Sequence, residues 1–119
     1  MQKYYFFAEQ EIKCNCGCDK LIIHPLHLFR MNTLRFWLQR PIVVTSWVRC
    51  DVHNLAVGGK PDSSHLIGLA TDISCSSSLY RVKIIYFAGL LGFNGVGIGN
   101  TFIHLDSDIA KSQYRFWQY

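Results

Sequence analysis

Two histidines and a carboxylate in this chain have the types and spacing that metal-assisted hydrolysis requires. Ser63-Ser64-His65-Leu66-Ile67-Gly68-Leu69-Ala70-Thr71-Asp72 is answered further on by Phe102-Ile103-His104-Leu105-Asp106. Both stretches set polar side chains near the ends of short apolar segments. Two neutral imidazole nitrogens and one anionic oxygen fill three of zinc's four tetrahedral positions and leave the fourth for water. A bound water whose pKa falls toward neutrality becomes a hydroxide nucleophile. His65, Asp72 and His104 together therefore point to one zinc ion per chain and to hydrolysis. Taken singly, each histidine also fits a hydrogen-bonded core position.

Hydrolysis further needs a group to accept the water's proton and return it to the leaving amine. The chain has only eight carboxylates. Asp106 shares the strand face of His104 two residues away, and two roles are open to it. It is either the base that reaches the metal's water or the partner that fixes the His104 tautomer. His53 is a second candidate for the base, and otherwise a surface loop histidine. Arg49 carries a planar guanidinium that binds carboxylates bidentately and stabilises charge developing on a carbonyl. It equally suits a surface pair with Asp51 or Asp62. Ser63 suits either a bond to substrate or a simple turn.

The elements that must position these groups are legible in part. Pro25 suits the first turn of a helix, and His27, Met31, Leu34 and Leu38 follow at helical spacing, which predicts an amphipathic helix over 25–39 and places His27 on its core face. Pro41 stops that helix, and residues 42–47 are β-branched and strand-like. Residues 49–64 read as a long polar loop that supplies a cleft. Leu66 to Ile73 returns to a strand pattern. Ser76-Ser77-Ser78 offers N-caps for a second helix with Leu79, Val82, Tyr86 and Leu90 on one face, ended by Gly89 and Gly92. The glycine-rich run 93–100 lacks the spacing of a phosphate loop and reads as a strand or hairpin edge with a tight turn feeding Thr101–Asp106. Residues 114–119 suit a last strand closing the sheet, and residues 1–24 an irregular lead-in.

Composition bounds the rest. At 119 residues the chain has room for one domain, 1–119, and half its residues are hydrophobic against 17% charged, which argues against disorder. No apolar run approaches the ~20 residues of a membrane span. The start is too short and too quickly acidic for a secretory signal, so the expectation is a soluble, monomeric chain made in the cytoplasm without an export address of its own. The net charge of +4 is scattered along the sequence. It suits an anionic polymer such as cell wall, or plain solubility. No finger or RNP-like spacing supports a nucleic-acid partner. Of five cysteines, three lie in Cys14-Asn15-Cys16-Gly17-Cys18, with Cys50 and Cys75 apart. Two readings stand for them: a three-thiolate site completed by His24 or His27, or reduced, partly buried thiols.

These motifs resemble those of the zinc D-Ala-D-Ala peptidases, in particular their short single-domain phage and bacterial members. Pro41-Ile42-Val43-Val44-Thr45-Ser46-Trp47-Val48-Arg49 and His53-Asn54-Leu55-Ala56-Val57-Gly58-Gly59 are similar, S-x-H-x-x-G-x-A-x-D is matched by Ser63–Asp72, and F-[IV]-H-[VL]-D by Phe102–Asp106. The N-terminal aromatic and Cys-Gly stretch is similar as well. The resemblance implies an α+β fold, a small antiparallel sheet with two main helices, of the kind these peptidases share with the hedgehog signalling domain. It implies zinc held by His65, Asp72 and His104, and cleavage of peptide bonds beside D-alanine in peptidoglycan stem peptides. Arg49 and Ser63 would contact the peptide's carboxylate or carbonyl. A phage lysin released to the wall by a separate pore fits that picture. A zinc-binding module without turnover, serving wall binding or interaction, is the alternative on the same fold. Trp47-Val48 departs from the usual Gly-Tyr, Cys50 replaces a common serine, and Asp108 adds negative charge where a basic or small residue is frequent.

Overall fold

The computed structural model describes residues 3–119. Seven strands and four helices run in the order β1 (Lys3–Tyr4), β2 (Phe7–Ala8), α1 (Glu9–Ile12), α2 (Pro25–Leu38), β3 (Val44–Ser46), α3 (Asp51–Ala56), a 3₁₀ turn (Ser64–Ile67), β4 (Ala70–Ser74), α4 (Ser78–Leu91), β5 (Gly95–Ile98), β6 (Phe102–Asp106) and β7 (Arg115–Gln118). β1 and β2 form a small hairpin, and the other five strands form one sheet in the order β3-β4-β6-β5-β7. Its pairs are antiparallel except β5 with β7, which run parallel. The fold is thus α+β, with a mixed sheet where an antiparallel one was expected. The exception arises because residues 107–114 carry the chain back past β5 before β7 begins.

Helix α2 starts at Pro25 and ends at Gln39, whose φ of 54° closes it in the left-handed conformation ahead of Pro41. His27, Met31, Leu34 and Leu38 are all buried, as their spacing predicts. Helix α4 begins where Ser77 Oγ accepts the Tyr80 N–H, and Gly92 caps its end. Here the expected face is turned outward: Leu79, Val82, Tyr86 and Leu90 are all exposed, and Tyr80, Ile84 and Ala88 are buried instead. This helix carries two apolar stripes at i, i+4 spacing, so periodicity does not choose between them. Packing against α2 chooses. Both helices cover one face of the sheet, where Met31, Leu34 and Ile84 meet Ile73, Ile103 and Leu105 in a single core.

Two stretches are more ordered than their composition suggests. The lead-in contains the hairpin and α1, where Glu11 Oε1 accepts the Ala8 N–H at 2.8 Å. The polar loop contains α3, whose N-cap Cys50 accepts the His53 N–H through sulfur. Residues 93–100 hold an interior strand, β5, and no edge.

Register does the positioning. Ser46, Asp72, His104, Gly97 and Trp117 form one row across all five strands, and Ala70, Asp106, Gly95 and Arg115 form the next across four. Alternation turns Ile73, Ile103 and Leu105 into the core and the intervening Asp72 and His104 to the opposite face.

Candidate metal centre

Asp72 and His104 are direct cross-strand partners on β4 and β6, so the sheet itself brings them together. His65 arrives from the 3₁₀ turn that feeds β4. Ser63 Oγ caps that turn by accepting the His65 N–H at 3.2 Å, and Gly68 ends it with a φ of 73°. The Ile22 side chain lies 2.8 Å from where a Gly68 Cβ would sit, so a side chain there meets both strain and obstruction.

Asp72 Oδ1 stands 3.2 Å from His65 Nε2 and 3.0 Å from His104 Nδ1. Ligand atoms around a tetrahedral zinc with bonds of about 2.0–2.1 Å lie about 3.3 Å apart, so the spacing fits that ion. Each ring is oriented from behind. His65 Nδ1 donates to the Trp47 carbonyl at 2.6 Å, leaving the Nε2 lone pair facing Asp72. His104 Nε2 donates to Asp106 Oδ2 at 2.9 Å, leaving Nδ1 free to coordinate. His65 Nε2 is buried and makes no hydrogen bond in spite of its closeness to Asp72. A buried polar atom without a partner costs stability unless something fills its place. A divalent cation bound between these atoms would fill it.

The electrostatics agree. Burial pushes the Asp72 carboxyl up, but the His104 hydrogen bond and the neighbouring His65 ring more than offset it, holding Asp72 well below the usual carboxylate range. Burial lowers His104, while Asp106 and Asp72 together raise it above an ordinary imidazole. Asp106 is likewise held low, its burial outweighed by His104 and Arg115. Asp72 and Asp106 thus stand ionised beside two oriented imidazoles, each carboxylate braced by an arginine.

The other expected residues divide. Arg49 comes into the site: it donates from Nη2 to Asp72 Oδ2 at 3.2 Å, from Nη1 to Asn54 Oδ1 at 3.2 Å and from Nε to Ser46 Oγ at 3.0 Å. Its partner is thus Asp72 and neither Asp51 nor Asp62. Arg49, Asp72, His53, Ser46, Thr45 and Asn15 line a cleft of about 480 Å³. Asp106 does not face that cleft. Its Oδ1 accepts from Arg115 at 2.7 Å, it is 1% exposed, and it lies on the far side of the His104 ring from Asp72. Ser63 is used as a cap and is not among the residues lining the cleft. Asp108 is not aimed at the centre, because its Oδ2 accepts from Ser64 Oγ at 2.7 Å and pins the 3₁₀ turn. His27 is a core residue between the Thr71 and Ser107 hydroxyls, and burial lowers its pKa to about 3.

Arg115 and Trp117 escaped the sequence reading. Trp117 packs over His104 with ring centroids 5.2 Å apart. Both side chains cross the sheet surface above glycine. A Cβ on Gly97 would lie 2.6 Å from the Trp117 indole, and one on Gly95 would collide with Asp106 and Arg115. The glycines of β5 therefore clear a path for β7 side chains to reach β6. Their alternation, Gly-x-Gly on the strand next to the one that carries His104, is the one signal that hints at it.

A search of curated proteins gives no match. The family profile of peptidase M15 matches residues 4–106, covering all but the first residue of the hairpin, both long helices and the three residues of the candidate centre. With that coverage, and with a donor set that suits zinc, the chain belongs to the M15 family of zinc metallopeptidases.

Proposed function

We propose that this chain hydrolyses D-Ala-containing peptide bonds of bacterial peptidoglycan, as a carboxypeptidase or an endopeptidase of the phage-lysin kind. The observation that carries the reading is the convergence of His65 Nε2, Asp72 Oδ1 and His104 Nδ1 beside a cleft that also holds the Arg49 guanidinium. Zinc held by these three residues supplies Lewis acidity and an activated water. The protein's own residues do the rest. Arg49, already braced by Ser46, Asn54 and Asp72, offers its remaining N–H groups to a peptide carboxylate or carbonyl. His53 lines the same cleft and is the titratable side chain there besides Asp72 and Arg49, so we assign it the proton transfer. Asp106 is a positioning residue that holds the His104 tautomer through Nε2. Ser63 acts on substrate only through the turn it caps. The overall chain path is read as that of the D-Ala-D-Ala peptidases and the hedgehog domain, acting as a monomer on stem peptides after release to the wall.

One observation favours the alternative, a zinc-binding wall or interaction module without turnover. Asp72 is the sole carboxylate lining the cleft among the described residues. The two readings separate in one experiment. Zinc-loaded protein is incubated with a stem peptide ending in D-Ala-D-Ala and with cross-linked peptidoglycan, and products are identified by mass spectrometry. Chelator-sensitive cleavage beside D-alanine, lost in His65→Ala and strongly reduced in His53→Gln, is expected. Released D-alanine identifies a carboxypeptidase, and opened cross-links an endopeptidase. Both substrates left intact by zinc-loaded protein would overturn the peptidase reading in favour of the module.

A further inference from the structure

The cysteines that the family assignment leaves unused converge elsewhere. Cys14, Cys16 and Cys18 lie on the loop after α1, Cys50 lies at the N-cap of α3, and their four sulfurs are all within 4.8 Å of one another. Cys14 and Cys16 sulfurs are 3.5 Å apart, and Cys16 and Cys50 sulfurs 3.6 Å. A disulfide joins sulfurs in pairs at about 2.05 Å. Four sulfurs around a tetrahedral zinc with bonds of about 2.3 Å stand about 3.8 Å apart, which is close to the spacing seen.

The surrounding backbone is built for thiolates. The Cys50 N–H points to Cys14 Sγ at 3.4 Å, the His53 N–H to Cys50 Sγ at 3.3 Å, and the Lys20 N–H to Cys18 Sγ at 3.5 Å. Such donors fix the direction of metal-bound sulfurs and offset their charge. The loop closes on itself through Cys14 N–H to Lys20 carbonyl at 2.9 Å, and Gly17 turns it with a φ of 89°. Of the two readings of these cysteines, three thiolates completed by His24 or His27 is not the grouping found, which is Cys14, Cys16, Cys18 and Cys50. His27 is bound between Thr71 and Ser107, and the fourth sulfur comes from Cys50, far off in sequence.

We propose that Cys14, Cys16, Cys18 and Cys50 hold a structural zinc ion as a closed tetrathiolate, so that the chain carries two zinc ions of different kinds. Four thiolates fill every tetrahedral position, and such a site contributes folding energy instead of chemistry. Its place explains what it does. Cys50 follows Arg49 directly. Asn15, between two of the thiolates, donates from Nδ2 to the Thr45 carbonyl at 2.9 Å and lines the cleft. Lys20 Nζ donates to the Arg49 and Leu66 carbonyls at 3.2 and 2.9 Å. The tetrathiolate thus ties the N-terminal loop to the wall of the cleft that carries Arg49, and it does so whether or not the cleft hydrolyses peptides.

The test uses the whole chain, purified under reductant, loaded with zinc and desalted. Metal analysis is expected to give two zinc ions per chain in the wild type, one in His65→Ala and one in Cys16→Ser/Cys18→Ser. Replacing zinc with cobalt(II) is expected to give the near-ultraviolet sulfur-to-metal charge-transfer band of a tetrathiolate, kept in His65→Ala and lost in the cysteine variant. The wild-type cobalt spectrum decides the matter even if the cysteine variant does not fold. Absence of that band from the fully reduced wild type, or a single zinc ion per chain that His65→Ala removes, would overturn the proposal.

Discussion

Asp106→Asn separates the two roles that a carboxylate beside His104 can play. In the wild type one oxygen of Asp106 accepts from His104 Nε2 at 2.9 Å, and the other accepts from Arg115 at 2.7 Å and from the Asp108 N–H at 3.2 Å. Asparagine keeps one acceptor oxygen. Two donors, one of them a guanidinium, compete for it on the Arg115 side, so the amide NH₂ turns to His104 Nε2. A donor there favours the tautomer with its proton on Nδ1, the nitrogen 3.0 Å from Asp72, and a protonated Nδ1 cannot bind metal. Loss of such an outer partner typically weakens metal affinity about 10–100-fold, or about 1.4–2.7 kcal/mol. The assay is zinc titration against a chromophoric chelator, following the binding step that His65→Ala removes, with peptide hydrolysis measured beside it. We expect that step to weaken by about 10–100-fold and hydrolysis to recover largely at saturating zinc. Unchanged zinc affinity with abolished turnover would refute the reasoning and return Asp106 to the role of base.

Three further predictions concern the scaffold. His27 is buried neutral, with its pKa lowered from 6.5 to about 3, so the fold prefers the unprotonated ring. The stability this confers is complete above pH ~6.5 and falls away as pH drops toward the folded value, by about 2 kcal/mol between pH 7 and pH 5. Denaturant melts should show that loss in the wild type and not in His27→Gln; parallel pH profiles would exclude it. Gly97→Ala puts a methyl group 2.6 Å from the Trp117 indole and should cost about 1–3 kcal/mol with a changed near-ultraviolet circular dichroism, whereas an unaltered spectrum would mean that Trp117 does not seat over His104. Ser77→Ala removes the N-cap of α4 and should lower stability by about 1 kcal/mol, readable as a lower denaturation midpoint.

The site was legible in the sequence to the extent that local pattern carries it. Serine ahead of His65, glycine after it and Asp72 in the strand that follows are one continuous motif. A histidine between Ile103 and Leu105 has to face away from the core by alternation alone. The buried face of α2 was legible for the same reason, since its apolar residues recur on one stripe. On α4 the same reasoning pointed to Leu79, Val82, Tyr86 and Leu90, which face outward. A helix apolar on two sides needs its neighbour to break the tie. Short elements were hidden for separate reasons: α3 lies inside a loop dominated by turn-forming residues, and the strands of the N-terminal hairpin are two residues each, too short for alternation to show.

By itself the sequence pointed to the three candidate metal donors, to the two long helices and to the strands that carry Asp72 and His104, because each of these signals lies within a turn or a strand of its own residue. The tertiary structure alone decided that Asp106 stands behind His104 with Arg115, that Arg49 braces Asp72, and that Cys50 joins three cysteines more than thirty residues earlier. These arrangements follow from strand register and chain crossing, which bring together groups whose separation along the chain carries no period for a reader to detect.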